Sequence, residues 1–406
     1  MRVREPPQAT CNETRQLWYT SVAKQNKWAE GVRSMKQRDT RNPPLFAVSQ
    51  RTGGDETVQL DASQLVARFE QWKTINRLSS LRRAIADFKR EIHHRTQLNG
   101  ADSTYVRFNC VHLVNELDQI ASSLTLERAL YYVDRLIKGV SEVRTGAIND
   151  INLNRWKEYD AIQTDSLWLI DRRDGSGVHT ADYWGNFVPQ IPYQMMMRYT
   201  KKGEWVLDTF NGSGTTLIEG QRLGRNTIGI ELQHRMVDHA KKLVAAEPNT
   251  HEVMVDVVQG DSARIDYKAL LAEYGQQSVQ LVIMHPPYFD IIKFSDDTSD
   301  LSNAPSVENF LEVMGAIVDN AAQVLDKGRY LVVVIGDKYA KGEWIPLGFQ
   351  TMSEVMKRGF SLKSLVVKNF EDTSGKRTQR ELWRYRALVG GFYIFKHEYI
   401  FLFKKQ

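Results

Sequence analysis

Cysteine is almost absent from this chain of 406 residues; only Cys11 and Cys110 occur, far apart. Two cysteines cannot build a four-ligand zinc cluster alone, and no disulfide framework is expected, which fits a reducing, cytoplasmic setting. Long apolar runs are also missing. The densest, near Tyr330–Ile335, falls far short of the ~20 residues a membrane span needs. The start is charged and then broken at Pro6-Pro7, with no apolar stretch behind it, so no secretory signal is expected. Internal repeats and low-complexity segments are lacking. A strong excess of charge is lacking too, since 54 Lys and Arg face 49 Asp and Glu, a net +5. What is present is an ordinary share of apolar residues, 42%, with many large aromatics, enough for a sizeable core.

The basic residues are unevenly placed. One group lies within residues 1–45, and another at Lys376, Arg377, Arg380, Arg384 and Arg386, interleaved with Trp383 and Tyr385. Two such clusters suit a polyanion partner, although a solvated surface is the competing reading of each. Residues 1–60 are irregular. Leu65, Phe69, Trp72, Ile75 and Leu78 then recur at helical spacing behind Asp61 or Ser63 as caps. Val111, Val114, Leu117 and Ile120 repeat the pattern, as do Leu126, Leu130, Val133 and Ile137. Residues 1–165 therefore read as a helical N-terminal region.

Residues 166–406 have another texture. Short β-type runs at Val206–Asp208, Thr227–Ile230, Leu281–Met284 and Leu331–Ile335 alternate with helical stretches at 214–223, 234–246, 308–325 and 350–358. That alternation predicts an α/β fold with a doubly wound, mostly parallel sheet. Phe392–Phe395 and Tyr399–Phe403, with no helix between them, predict an antiparallel hairpin on the sheet's edge.

The sharpest local signal follows the first of these strands. Val206-Leu207-Asp208-Thr209-Phe210-Asn211-Gly212-Ser213-Gly214-Thr215-Thr216 runs from a strand through a glycine turn into a helix. Gly212 and Gly214 permit positive φ and close backbone approach. Glu231 ends the next strand, where a carboxylate can accept hydrogen bonds from both ribose hydroxyls of a nucleoside. The third glycine of a dinucleotide fingerprint is replaced by Leu217, and no P-loop lysine is present. A nucleoside without phosphates, such as S-adenosylmethionine, fits better.

A second signal is Leu281-Val282-Ile283-Met284-His285-Pro286-Pro287-Tyr288. Two prolines fix φ and remove two donors, leaving an acceptor-rich turn with a tyrosine beside it. Such a turn suits a planar base bearing an amino group. The polar stretch Lys293–Asn309 behind it reads as a mobile loop next to that base.

Together these segments resemble the amino-methyltransferases of DNA, which act on adenine N6 or cytosine N4. Asp208, Phe210, Gly212, Gly214, Thr215 and Thr216 are similar to the family's D-P-F-x-G-S-G-T-T motif, with Thr209 in place of its proline. Glu231 resembles the ribose-binding acid. Asp261 in Gly260-Asp261-Ser262 resembles the acid bordering the cofactor's adenine. Phe187–Tyr193 resembles the segment that closes over its methionine part, and His397-Glu398-Tyr399 resembles the final hairpin. The resemblance covers roughly residues 180–406. It implies a fold of the S-adenosylmethionine-dependent methyltransferase type, no metal, and methyl transfer to a flipped-out base in DNA. His285, Pro286, Pro287 and Tyr288 would be the catalytic tetrad, and Arg377, Arg380 and Arg384 the DNA contacts. Whether a restriction or specificity subunit accompanies the chain stays open.

His285 departs from the family's Asp, Asn or Ser, so the usual guide to adenine or cytosine is missing. A neutral imidazole accepts one hydrogen bond. At an ordinary pKa near ~6.5 its protonation would stop activity in mild acid. Asp290 is the alternative acceptor. Methylation of RNA or protein, and a degenerate methylase-like module that binds nucleic acid without catalysis, remain as rival readings.

Overall fold

The computed structural model describes residues 57–95, 105–181, 183, 185–369 and 380–406. The N-terminal basic cluster, Cys11, Lys376 and Arg377 lie outside these residues.

The N-terminal region has its own core. Helices Ala62–Lys73, Leu78–Arg95, Cys110–Ala121 and Leu126–Ser141 enclose Phe69, Trp72, Phe88, Leu117 and Val133. Asp61 caps the first helix, its carboxylate accepting from the Gln64 amide at 2.8 Å. Two features differ from the sequence reading. β1 (Thr57–Asp61) and β2 (Tyr105–Asn109) form an antiparallel ladder, so the region is not purely helical. The third helix buries Cys110 and Leu113 beside Leu117 and Ile120, while Val111 faces solvent. An apolar residue on either side of the stripe leaves the pattern two ways to close, and packing against the other helices selects one. Beyond these helices the chain already grips the second region ahead of residue 165. Asn149 Nδ2 donates to the Arg198 carbonyl, and the Lys202 amide to Asp150.

The second region is an eight-stranded sheet. Its strands are β3 (Leu167–Trp168), β4 (Trp205–Asp208), β5 (Asn226–Glu231), β6 (Val255–Gln259), β7 (Val279–Met284), β8 (Leu325–Ile335), β11 (Phe360–Asn369) and β12 (His397–Lys405). Their order is β3-β11-β12-β8-β7-β4-β5-β6. The pairs β4/β5, β5/β6, β4/β7 and β7/β8 are parallel, and β12 runs antiparallel to both β8 and β11. Helices Gln190–Tyr199, Thr215–Leu223, His234–Ala246, Val307–Ala322 and Leu347–Met356 alternate with the strands. β4 is wholly buried and β7 nearly so, as expected of a parallel sheet covered on both faces. The α/β, doubly wound, mostly parallel fold read from the sequence is the observed one.

The expected terminal hairpin is not. Phe392–Phe395 is no strand, and β12 lies two strands in from the edge. Phe392 stacks instead on Tyr339 at 4.0 Å and Phe395 packs on Trp344 at 4.1 Å. Those partners sit in a small hairpin, β9 (Lys338–Ala340) and β10 (Glu343–Ile345). Aromatic packing on this hairpin holds the segment away from the ladder. β12 takes β11 as its outer neighbour.

The winding reverses between β4 and β7. From β4 the chain proceeds outward through β5 and β6; from β7 it proceeds the other way through β8. Ligand crevices in open α/β sheets lie at such a reversal, beyond the carboxyl ends of the strands. β4 ends at Asp208 and β7 at Met284, so both sequence signals emerge there.

Candidate active site

A cavity of about 430 Å³ opens at this point. One wall carries Phe210, Gly212, Glu231 and Asp261; another carries His285, Pro286, Pro287 and Tyr288. The glycine turn and the proline turn thus face one space, within the size range of small-molecule sites.

On the first wall, Asn211 donates its amide to the Ile230 carbonyl, which draws the turn onto β5. Gly212 has φ +52 and its amide donates to Glu231 Oε2 at 2.9 Å. Glu231 Oε1 accepts from the Gln233 amide, also at 2.9 Å. Burial outweighs both bonds and pushes the Glu231 carboxyl up to about 7. Asp261 accepts from the Ala263 amide at 2.9 Å. Three buried polar atoms of the lining residues, Asn186 Nδ2, Thr209 Oγ1 and Asn211 Oδ1, have no hydrogen-bond partner.

Three of the expected cofactor residues do not line the cavity. Asp208, Gly214 and Thr215 lie beneath it. Asp208 is 1% exposed and accepts from the Phe210 amide at 2.9 Å, and burial raises it to about 6. Gly214, at φ +88, packs its α-carbon side against Ala240 as the helix begins.

On the second wall, His285 is half-buried and meets Phe187 edge-on at 4.8 Å. Its Nε2 lies 3.2 Å from the Tyr288 hydroxyl. That hydroxyl donates to Glu398 Oε2 at 2.6 Å, and Lys368 Nζ pairs with Glu398 Oε1 at 2.8 Å. Lys368 and Glu398 are register partners on β11 and β12, and both line the cavity. Burial pushes the His285 imidazole down to about 4, with Glu398 opposing and Lys368 adding to the shift. Its neutral form therefore persists well below the ordinary titration range. The Tyr288 phenol is raised far above its usual value by burial and then by Glu398, and stays a donor. The tyrosine ring lies against Gly336, where a β-carbon would come within 2.9 Å of it. The next residue, Phe289, holds a left-handed φ of +55, a strained conformation for a bulky side chain.

Asp290, the alternative acceptor, turns away from the cavity and pairs with Lys338. The carboxylate beside the tetrad is Glu398. Lys368, at the end of Leu365-Val366-Val367, carries no local signal, and Glu398 is marked only by its place in His397-Glu398-Tyr399, which gives it no role. The stretch Lys293–Asn309 forms a third wall rather than an open loop. Asp300 is buried and accepts from the Ser302 amide and the Ser295 hydroxyl, and Asn303 ties back to the Ser295 and Asp297 carbonyls.

Of the expected DNA contacts, Arg377 and the Arg380 side chain lie outside the described residues. Arg384 is exposed on helix Arg380–Gly390, as are Tyr385 and Arg386. The Arg386 guanidinium lies over Trp383, 5.2 Å from its ring centroid. The helix leads into Phe392 and Phe395, which pack on the β9–β10 hairpin. Lys338 at the start of that hairpin grips Asp290, two residues past Tyr288. These successive contacts hold the basic helix near the proline turn. No group of side chains suited to a metal occurs among the described residues, and no helix among them is long and apolar enough to cross a membrane.

Comparison with known proteins agrees with this geometry. The family model described as "DNA methylase" matches residues 144–242 and 279–406, more than half the chain. The Type II methyltransferase M2.DpnII of Streptococcus pneumoniae is 33% identical over 110 residues, covering 25% of this chain and 41% of that protein. The Type II methyltransferase M.MthZI of Methanothermobacter thermautotrophicus is 45% identical over 49 residues, 12% of this chain and 14% of its own. M.HinfI of Haemophilus influenzae, also a Type II methyltransferase, is 32% identical over 80 residues, 20% of this chain and 22% of its own. The chain spans less than half the length of each of these relatives.

Proposed function

From the premise that the chain belongs to the DNA methylase family, matched over both halves of its sheet, we propose that it transfers a methyl group from S-adenosylmethionine to an exocyclic amino group, adenine N6 or cytosine N4, of a base in DNA. The observation that carries this reading is the shared cavity: the glycine turn with Glu231 and the His285–Tyr288 turn open onto one space at the reversal of the sheet.

The residues present suit the cofactor. Glu231 would take the ribose hydroxyls and Asp261 would border the adenine. Gly212, at φ +52, carries no side chain where the cofactor would meet the turn. Bound there, S-adenosylmethionine supplies an electrophilic sulfonium methyl. The rest falls to the chain. His285 and the Pro286 carbonyl accept the hydrogens of the target amino group, which turns its lone pair out of the ring's conjugation. The Tyr288 ring, fixed against Gly336, gives the base a face to stack on. The freed lone pair would take up that methyl in place of the sulfur, which would leave with its electron pair, and the amino group would release a proton to water. Positioning and electrostatics supply most of the acceleration. A duplex base must be flipped out to reach the cavity, at a cost of a few kcal/mol. The basic helix at 380–390 is suited to the phosphates beside it.

The test is incubation of the purified chain with methyl-labelled cofactor and, separately, duplex DNA, RNA and the protein itself. Label in DNA supports the proposal; label in RNA or protein alone replaces it with the corresponding rival.

A further inference from the structure

The Lys368–Glu398–Tyr288 chain raises a question that the tetrad alone does not: which nitrogen of His285 bears the proton. The ring is neutral in its wall of Phe187, Tyr288, Glu398 and Lys368, so one nitrogen donates and the other accepts. We propose that Lys368 and Glu398 are positioning residues that fix His285 with its proton on Nε2, leaving Nδ1 bare as the ring's acceptor.

The direction of each bond follows from the protons available. Lys368 has only donors, and its ammonium meets Glu398 Oε1 at 2.8 Å. That leaves Oε2 for Tyr288, whose hydroxyl donates to it at 2.6 Å. A phenol has one proton. With that proton committed to Glu398, the Tyr288 oxygen presents only lone pairs to His285, and Nε2 at 3.2 Å must donate. A bare Nε2 would set two acceptors against each other. The direction of every bond is thus set by the fixed charge of Lys368 on β11. The cross-strand register that pairs residue 368 with residue 398 builds it into the sheet. The arrangement answers a chemical need. A carboxylate at the head of the tetrad would accept from any direction, but an imidazole accepts through one atom only. A histidine here needs its tautomer held.

The consequence for methyl transfer rests on the function proposed above; the tautomer itself does not. The tautomer is read by long-range proton–nitrogen correlation spectroscopy on the full chain labelled at its 9 histidines, with His285→Asn identifying the His285 signals by their loss. The wild-type ring is expected to show a protonated Nε2 and a bare Nδ1. Glu398→Gln is the decisive variant. Its amide oxygen must turn to Lys368, which places the amide NH₂ against the Tyr288 oxygen. The phenol then donates to His285 Nε2, and the ring proton moves to Nδ1. Cofactor affinity should stay near wild type, while kcat for methyl transfer falls about 100-fold, in line with the loss of one aligned catalytic hydrogen bond. A wild-type ring protonated on Nδ1, or a Glu398→Gln ring with the wild-type tautomer, overturns the assignment. Failure of the functional reading would appear separately, as a wild-type chain with the expected tautomer that methylates no DNA.

Discussion

Gly212 and Glu231 are joined by a 2.9 Å hydrogen bond from the glycine amide to the carboxylate, which makes the turn after β4 and the acid at the end of β5 one unit. Burial holds that acid near 7, above its ordinary value. Hydroxyls donated by a bound ribose stabilise the ionised form, so the carboxyl should lose a proton when S-adenosylmethionine binds near neutrality. Affinity is expected to weaken as pH falls below about 7, by up to about tenfold per unit. Calorimetry in buffers of different ionisation enthalpy measures the released proton directly. No proton release and a flat affinity between pH 5 and 8 would remove Glu231 from the cofactor site.

Gly336→Val tests the base platform. Its side chain would displace the Tyr288 ring, at a cost of roughly 1–3 kcal/mol in stability from overpacking. Methyl transfer should be lost while cofactor affinity persists, because the glycine turn is on the other wall. Wild-type turnover in this variant would show that the Tyr288 position is not used.

Acid stability should carry the mark of His285. Unfolded, it takes up a proton near ~6.5; folded, it stays neutral to about 4. Between these values the unfolded state holds more protons, so the stability tied to a neutral His285 is full above about 6.5 and is lost as pH falls toward 4. Asp208 and Glu231, both raised, change stability in the opposite sense, so the comparison is between proteins. Wild type should lose more stability than His285→Asn between pH 6.5 and 4 in denaturant titrations at stepped pH. With that shift, at saturating cofactor, no activity loss centred on ~6.5 should arise from His285. Equal acid losses in both proteins would contradict the neutral ring.

What the sequence made legible, and what it did not, divides along local and distant chemistry. β4, β5, β7 and the two turns were readable because glycine, proline and short β-branched runs act within a few residues of themselves. The cavity that joins them was readable through the alternation of strand and helix. The roles of Glu398 and Lys368 are not legible there, since the two become a buried pair only through the register of β11 against β12. Phe392–Phe395 read as a strand because aromatic runs suit ladders and stacked packing alike. That Asp208 lies beneath the cavity is not legible either, because a motif records which residues are needed and not how deep each one sits.

The basic helix, together with Arg377 ahead of it in the sequence, is tested through salt. Replacing Arg377, Arg380 and Arg384 by Ala should weaken DNA binding across unrelated sequences. It should also lower the salt dependence by about one slope unit for each phosphate that is no longer neutralised. Binding isotherms at several salt concentrations give both quantities. An unchanged affinity and slope would move the DNA surface elsewhere.

The proposed reaction is methylation, in the cavity, of an amino group of a DNA base. Its most direct measurement is mass analysis of nucleosides released from duplex DNA of mixed sequence after incubation with the chain and S-adenosylmethionine, with a His285→Ala chain in parallel. The expected result is N6-methyladenine or N4-methylcytosine from the wild type and a strong reduction in the variant. Unmodified nucleosides from the wild type, with cofactor binding intact, would contradict it.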